Sequence, residues 1–443
     1  MCFRFTAIKH VKYRIIFMIG ISLYFFIFRY IYINWLSPIY IGWNFIYNEP
    51  PAGYTLFAFL LSILPTVWIP ICLKRTTQFI YLILYITVFI PSMQVPLYMA
   101  LESPFNVACF MVTLTGGFAI IGGSYFLPLF KVRFIKISRF TFWAVFFALT
   151  LILMLYCFYI FRGHMEIVSF WKVYDLRLRS REIIKGTTVG YAIMLLSSVI
   201  NPFLMSWGLV HKKIIFFSIG ALGQIFLYST TASKSVILSI LFIILFYIIL
   251  KGRQIYWSLK IVWGIVAVLA GLLIINLIFE VDNDNALFLA SSIIFMRLFG
   301  TPGLLSGQYH HFFQNNPLTY YSHVTGINLL VDNPYERPVS FEIGYYFMGN
   351  IDLNQNAHFW ATDGLAALGL LGIIVISILC FFIFWLVDSL VVRHALIFTV
   401  LTTIFITLNL SNASLFTVLA SGGLSFLTIM LYFLPPTKSN RPT

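Results

Sequence analysis

The sequence predicts an all-α polytopic membrane protein, a single integral membrane domain over residues 1–443, with about twelve transmembrane helices and one long outer loop between spans 9 and 10. Composition is the first observation behind this. Hydrophobic residues make up 60% of the 443 and charged residues 9%, with a mean hydropathy of +0.94; so few polar groups cannot cover a water-soluble fold of this size. The second is apolar runs of about 17–25 residues, the length that crosses a ~30 Å hydrocarbon layer. The third is the sorting of charge between alternate connections.

Twelve such runs lie near 15–34, 54–73, 78–98, 105–130, 140–161, 187–210, 214–230, 235–250, 261–279, 364–387, 395–409 and 412–434. The first follows a basic stretch (Arg4, Lys9, Lys12, Arg14) as in a signal peptide. No small-residue cleavage site follows it, so it reads as an uncleaved span. One set of connections holds Arg4/Lys9/Lys12/Arg14, Lys74/Arg75, Lys131/Arg133/Lys136/Arg139, Lys212/Lys213, Lys251/Arg253/Lys260, Arg393 and Lys438/Arg441. The positive-inside rule places these, and both termini, in the cytoplasm. Thirteen of the fourteen acids fall on the opposite side, Asp388 being the exception. The net charge of +14 thus belongs to membrane faces and does not call for nucleic acid.

The outer segment 162–186 departs from the rule, with Arg162, Lys172, Arg177, Arg179, Arg181 and Lys185 against three acids. Basic residues in a translocated loop oppose insertion, so they point to an anionic partner, either lipid headgroups or a phosphorylated substrate. The alternation of Arg177, Arg179 and Arg181 gives them one face on a strand and spreads them on a helix. Ser233-Lys234-Ser235 opens span 8 on the same side; capping serines, free backbone N–H groups and a lysine there attract anions, and a plain capped turn fits equally.

The outer loop 280–363 carries the candidate catalytic site. With the nine residues that follow, it holds eight of the acids, Arg297, Arg337 and four of the eight histidines (His310, His311, His323, His358). His310 and His311 are adjacent and cannot share a face on a helix or strand, so they read as loop residues. His358, five residues before Asp363, belongs at the outer interface, where a neutral imidazole removes a proton from a hydroxyl or simply hydrogen-bonds the loop. Gly369 and Gly372 permit close helix packing. Asp282 and Asp284 read as solvated rather than as calcium ligands, since no glutamate closes a loop. The five cysteines show neither disulfide nor metal spacing. No carboxylate lies in the middle of a span, which argues against ion-coupled transport, and no phosphate-loop, zinc or nucleophile-elbow pattern is present.

His358, Phe359, nine residues and Gly369-Leu-Leu-Gly372 resemble a motif of the O-antigen ligases, in which a small polar residue stands where this chain has Phe359. Arg179, ten residues and Gly190 resemble an arginine-to-glycine spacing of the O-antigen and oligosaccharide repeat-unit polymerases; after Arg337 the glycine falls one residue later, at Gly349. With the long outer loop and the Ser-Lys-Ser start of span 8, the layout resembles that polymerase family over the whole chain. The resemblance implies a glycosyltransferase of the bacterial inner membrane that joins undecaprenyl-diphosphate-linked repeat units into O-antigen or capsular polysaccharide, with donor and acceptor both lipid-linked and a chain-length regulator protein as a further partner. It implies that arginines stabilise the departing diphosphate: Arg177, Arg179, Arg181, Arg297 and Arg337, aided by Lys234. It also implies His358 as the general base, with no metal and no cofactor. A ligase of the same chemistry, and a lipid-linked oligosaccharide flippase or polysaccharide exporter, are the competing readings.

Overall fold

The computed structural model describes residues 7–167, 173–185, 187–279 and 285–436; Lys172, Glu280, Asp282 and Asp284 lie outside the described residues. All regular structure among these residues is helical. In chain order the helices are α1 (Val11–Trp43), α2 (Ala52–Val67), α3 (Thr76–Met99), α4 (Pro104–Phe126), α5 (Arg139–Phe161), α6 (Val173–Ile184), α7 (Val189–Val210), α8 (Ile214–Thr231), α9 (Lys234–Leu250), α10 (Gln254–Ile278), α11 (Ala286–Asn315), α12 (Val339–Met348), α13 (Trp360–Val391), α14 (Leu396–Leu410) and α15 (Leu415–Phe433). Ten of the described helices are long and apolar enough to cross a membrane, and α2, α9 and α14 are shorter apolar helices.

Prolines shape these helices. Four of the five π-helical stretches among the described residues, Tyr32–Leu36, Tyr85–Phe89, Leu196–Ile200 and Ser292–Gly300, end two residues before a proline: Pro38, Pro91, Pro202 and Pro302. A proline has no N–H and its ring presses on the carbonyl one turn back, so the preceding turn widens. These widened turns belong to α1, α3, α7 and α11, the last of which packs on α3 with Gly303 against Pro91 and Val95. Residues 76–99 of α3 are buried throughout, and this helix forms the centre of the bundle. Its first turn is held by Asp388 of α13, which accepts from Thr77 N (2.9 Å) and Thr77 Oγ1 (2.6 Å).

Contacts between helix ends define two faces. On the first, Tyr13 near the start of α1 meets Tyr256 near the start of α10. Four basic residues there donate to carbonyls at helix C-termini, which lack partners of their own. Arg14 reaches Thr66 in the last turn of α2 and Ile69 just after it, Arg75 reaches Leu127 after α4, Lys260 reaches Ile249 and Lys251 at the end of α9, and Arg393 reaches Leu434 after α15. Four of the cations that the sequence places on this face thus also sit where helix dipoles are negative. Both the first and the last helix have their terminal ends on this face.

The long outer loop differs from expectation. Residues 286–315 form α11, a 30-residue apolar helix, rather than loop, and His310 and His311 are both helical. Its polar residues (Gln308, His310, His311) and its Gly-Pro punctuation hide it from an apolar-run search. Both of its ends lie on the second face. Ser291 and Ser292 bond Asn276 (2.8 Å), near the end of α10, and Tyr40 (2.8 Å), near the end of α1. His311 bonds Glu102, just beyond α3. The segment left as a connection runs from 316 to 359 and contains α12.

Candidate functional site

The second face gathers the chemistry-bearing side chains, beginning with a break in α13. Leu368 (φ −141°, ψ 22°) and Gly369 (φ 60°, ψ −141°) leave helical geometry. The Gly369 conformation is nearly closed to residues with a Cβ. The break frees carbonyls, and the connection from α11 supplies donors: Thr319 N to Ala366 O (2.8 Å) and Tyr320 N to Ala367 O (3.1 Å). The short segment before the break folds back on the long one so closely that a Cβ on Gly372 would lie 2.8 Å from the Gly364 carbonyl carbon. Gly369 thus makes the reversal and Gly372 permits the packing.

That segment carries His358 at its head and Asp363 within it. His358 is 1% exposed; its Nε2 pairs with Ser306 Oγ at 2.7 Å, and Ser306 in turn pairs with Ser92 at 2.6 Å. Nδ1 has no hydrogen-bond partner among the described residues. Burial pushes the imidazole down to about 3, against a smaller opposing pull from the Pro302 carbonyl. Asp363 is fully buried. It accepts from Ser414 Oγ (2.6 Å) and Leu415 N (2.5 Å), pinning the start of α15, and its Oδ1 lies 3.5 Å from His323 Nε2. His323 Nδ1 meets Thr319 Oγ1 at 2.7 Å.

A second carboxylate–imidazole pair joins His311 Nδ1 to Glu102 Oε1 at 2.7 Å. Burial works to raise the Glu102 carboxyl, but hydrogen bonds from Asn106 and His311 outweigh it and hold the acid below its ordinary range. His311 packs beside Tyr346 and Phe347, ring centres 6.2 and 6.0 Å away. Tyr346 borders a cleft of about 570 Å³ lined by Phe312, Asn316, Tyr335, Glu342, Tyr345 and Gly349 as well. Arg337 lies over the Tyr345 ring, 5.0 Å from its centre.

The basic residues divide into three groups. Arg177, Arg179 and Arg181 lie on the helix α6, not a strand, so Arg177 and Arg181, one turn apart, lie on one side and Arg179 on another; Arg177 is half-buried and the other two are exposed. The helix rests on the end of α8 through Ser180 Oγ, which donates to Thr230 O at 2.6 Å. Arg177 on this helix and Arg297 of α11 both act electrostatically on the Lys234 ammonium. Ser233 does not cap α9 with its side chain; its hydroxyl pairs with Ser235 at 2.9 Å. Of the sequence-predicted site residues, Arg177 and Arg297 thus act electrostatically on Lys234, whereas Arg337 belongs to the aromatic cleft and His358 to the Ser306 contact. The pairs Glu102–His311 and Asp363–His323 and the tyrosine cleft escape sequence reasoning, because their members lie 40 to 209 residues apart or sit in a stretch with no periodicity.

No protein family, no curated protein and no solved structure matches this chain.

Proposed function

We propose that this protein is a membrane glycosyltransferase that polymerises polyprenyl-diphosphate-linked oligosaccharide repeat units, working on the outer face of a bacterial inner membrane. In this reading α11 enters and leaves on the outer face, twelve other helices cross, and both termini are cytoplasmic. The observation that carries it is that Arg177 of α6 and Arg297 of α11 both act electrostatically on Lys234 at the start of α9, on the face opposite the capping cations. Three positive groups in one place suit a diphosphate, whose charge grows as the glycosidic bond to it breaks.

The general base is drawn from the histidines of the same face. His323 has a carboxylate partner and a half-buried position, whereas His358 is sealed against Ser306 and its depressed pKa makes it a weak proton acceptor. This favours His323 for the base and gives His358 a positioning role at the head of α13. Deletion of the gene should collapse a ladder of surface glycan lengths to a single repeat unit, seen by gel electrophoresis of extracted glycolipid. A ladder unchanged by deletion would overturn the polymerase reading, and loss of every repeat unit would replace it with ligation or flipping.

A further inference from the structure

The cation cluster and the aromatic cleft are separate places. Arg297 and His311 lie fourteen residues apart on α11, on either side of the turn at Pro302, and the cluster and the cleft lining share no residue. Their chemistry differs as well. The cluster gathers three positive groups, whereas the cleft is lined by one carboxylate (Glu342), one amide (Asn316) and four aromatic rings, with Arg337 stacked on one of them. A diphosphate belongs to the first. What the second suits is a neutral, hydroxyl-rich molecule with apolar faces.

We propose that this cleft is a binding site for a neutral oligosaccharide segment, and that it holds the growing glycan at a distance from the diphosphate. The proposal rests on the glycosyltransferase reading for the identity of the glycan, but not for the binding itself. Four features support it. The rings are set against one another as walls: Phe312 meets Tyr346 edge to face at 5.1 Å and Tyr335 at 5.7 Å. Ring faces carry partial negative charge and attract the polarised C–H groups of a pyranose, while tyrosine hydroxyls, Glu342 and Asn316 supply hydrogen bonds to its hydroxyls. A cleft of this volume falls in the range of small-ligand sites and is far too small for a lipid-linked polymer, so it grips a segment of one. The walls are also braced before any ligand arrives. Tyr335 donates to Pro317 O at 2.5 Å, and Glu102 locks His311, against which Tyr346 packs. Preorganised rings bind with little ordering cost.

A subsite that retains the chain between additions lengthens the product without being needed for any single transfer. Its loss should therefore shorten the glycan rather than abolish synthesis. The test uses the full-length protein in lipid nanodiscs, with the oligosaccharide released by mild acid from the host cell's own surface polysaccharide as probe. Saturation-transfer NMR should show magnetisation passing from protein to the sugar ring protons. The signal should fall at least fivefold in Tyr345→Ala/Tyr346→Ala and persist in Tyr345→Phe/Tyr346→Phe, which keeps the rings and controls for misfolding. Arg297→Gln should leave it intact. In cells, the double alanine variant should shift the glycan ladder to at most half its modal length while single additions continue. No transfer to wild-type protein, or equal transfer to the alanine variant, would overturn the proposal and leave the tyrosines as interfacial membrane anchors. If deletion of the gene leaves the ladder unchanged, the polymerase reading fails, and the NMR result alone decides the cleft.

Discussion

Gly372→Ala probes the fold at the point where the site depends on it. An alanine Cβ would stand 2.8 Å from the Gly364 carbonyl carbon and closer still to its oxygen, where ordinary contact begins at 3.4 Å. Relief needs a backbone shift of more than about half an ångström. The segment cannot give locally, because Thr319 and Tyr320 hold Ala366 and Ala367 and Asp363 is tied to Ser414 and Leu415. Overpacking of this kind costs about 2–3 kcal/mol, toward the upper end of its usual range, or roughly 30- to 150-fold in the unfolding equilibrium. At about 2 °C per kcal/mol for a large chain, the midpoint should fall by about 4–6 °C. The assay is loss of the monodisperse gel-filtration peak after heating in detergent. Gly264→Ala is the control: the site is open space in the interior of α10, and alanine should be neutral or stabilise by up to about 1 kcal/mol. A Gly372→Ala protein that melts with the wild type would refute the close-packed reversal of α13, and with it the placement of His358 and Asp363.

Asp363→Asn turns one of two accepting oxygens into a donor facing Ser414 Oγ or Leu415 N; a loss of about 1–3 kcal/mol is expected in the same heating assay, and an unchanged midpoint would remove Asp363 as the tie to α15. Glu102 has its folded carboxyl held below the ordinary 4.5, so its contribution to stability is fully present above that pH and lost as pH falls through the lower folded value. The gap in melting between wild type and Glu102→Gln should accordingly narrow as pH falls below about 4.5, and a gap that widens on acidification would reverse the argument. Arg297→Lys keeps the charge beside Lys234 but loses the two-point fork; glycan ladder density should drop at least tenfold in normally inserted protein. His358→Ala should lower heat stability and spare some polymer, while His323→Ala should abolish it; polymer surviving only in the second would return the base to His358.

Composition and the length of the apolar runs together determined that this chain is a helical membrane protein, because 60% apolar residues leave too few polar groups for a soluble fold and the runs match a bilayer crossed as helix. The sorting of lysines and arginines between alternate connections also determined which helix ends share a face. On that face Arg14, Arg75, Lys260 and Arg393 satisfy carbonyls at helix ends. Sequence reading failed where local pattern and tertiary demand diverge. Helix α11 mixes apolar residues with Gln308, His310 and His311, whose polarity is accommodated through partners such as Glu102 that no window of sequence contains. The alternating arginines at 177–181 left strand and helix open, and the folded chain makes them a helix docked on the end of α8 through Ser180 and Thr230. His358 was legible as a residue at the mouth of a span. Its closure against Ser306 was not, because burial is a property of what packs over a side chain, and only the folded chain supplies those neighbours.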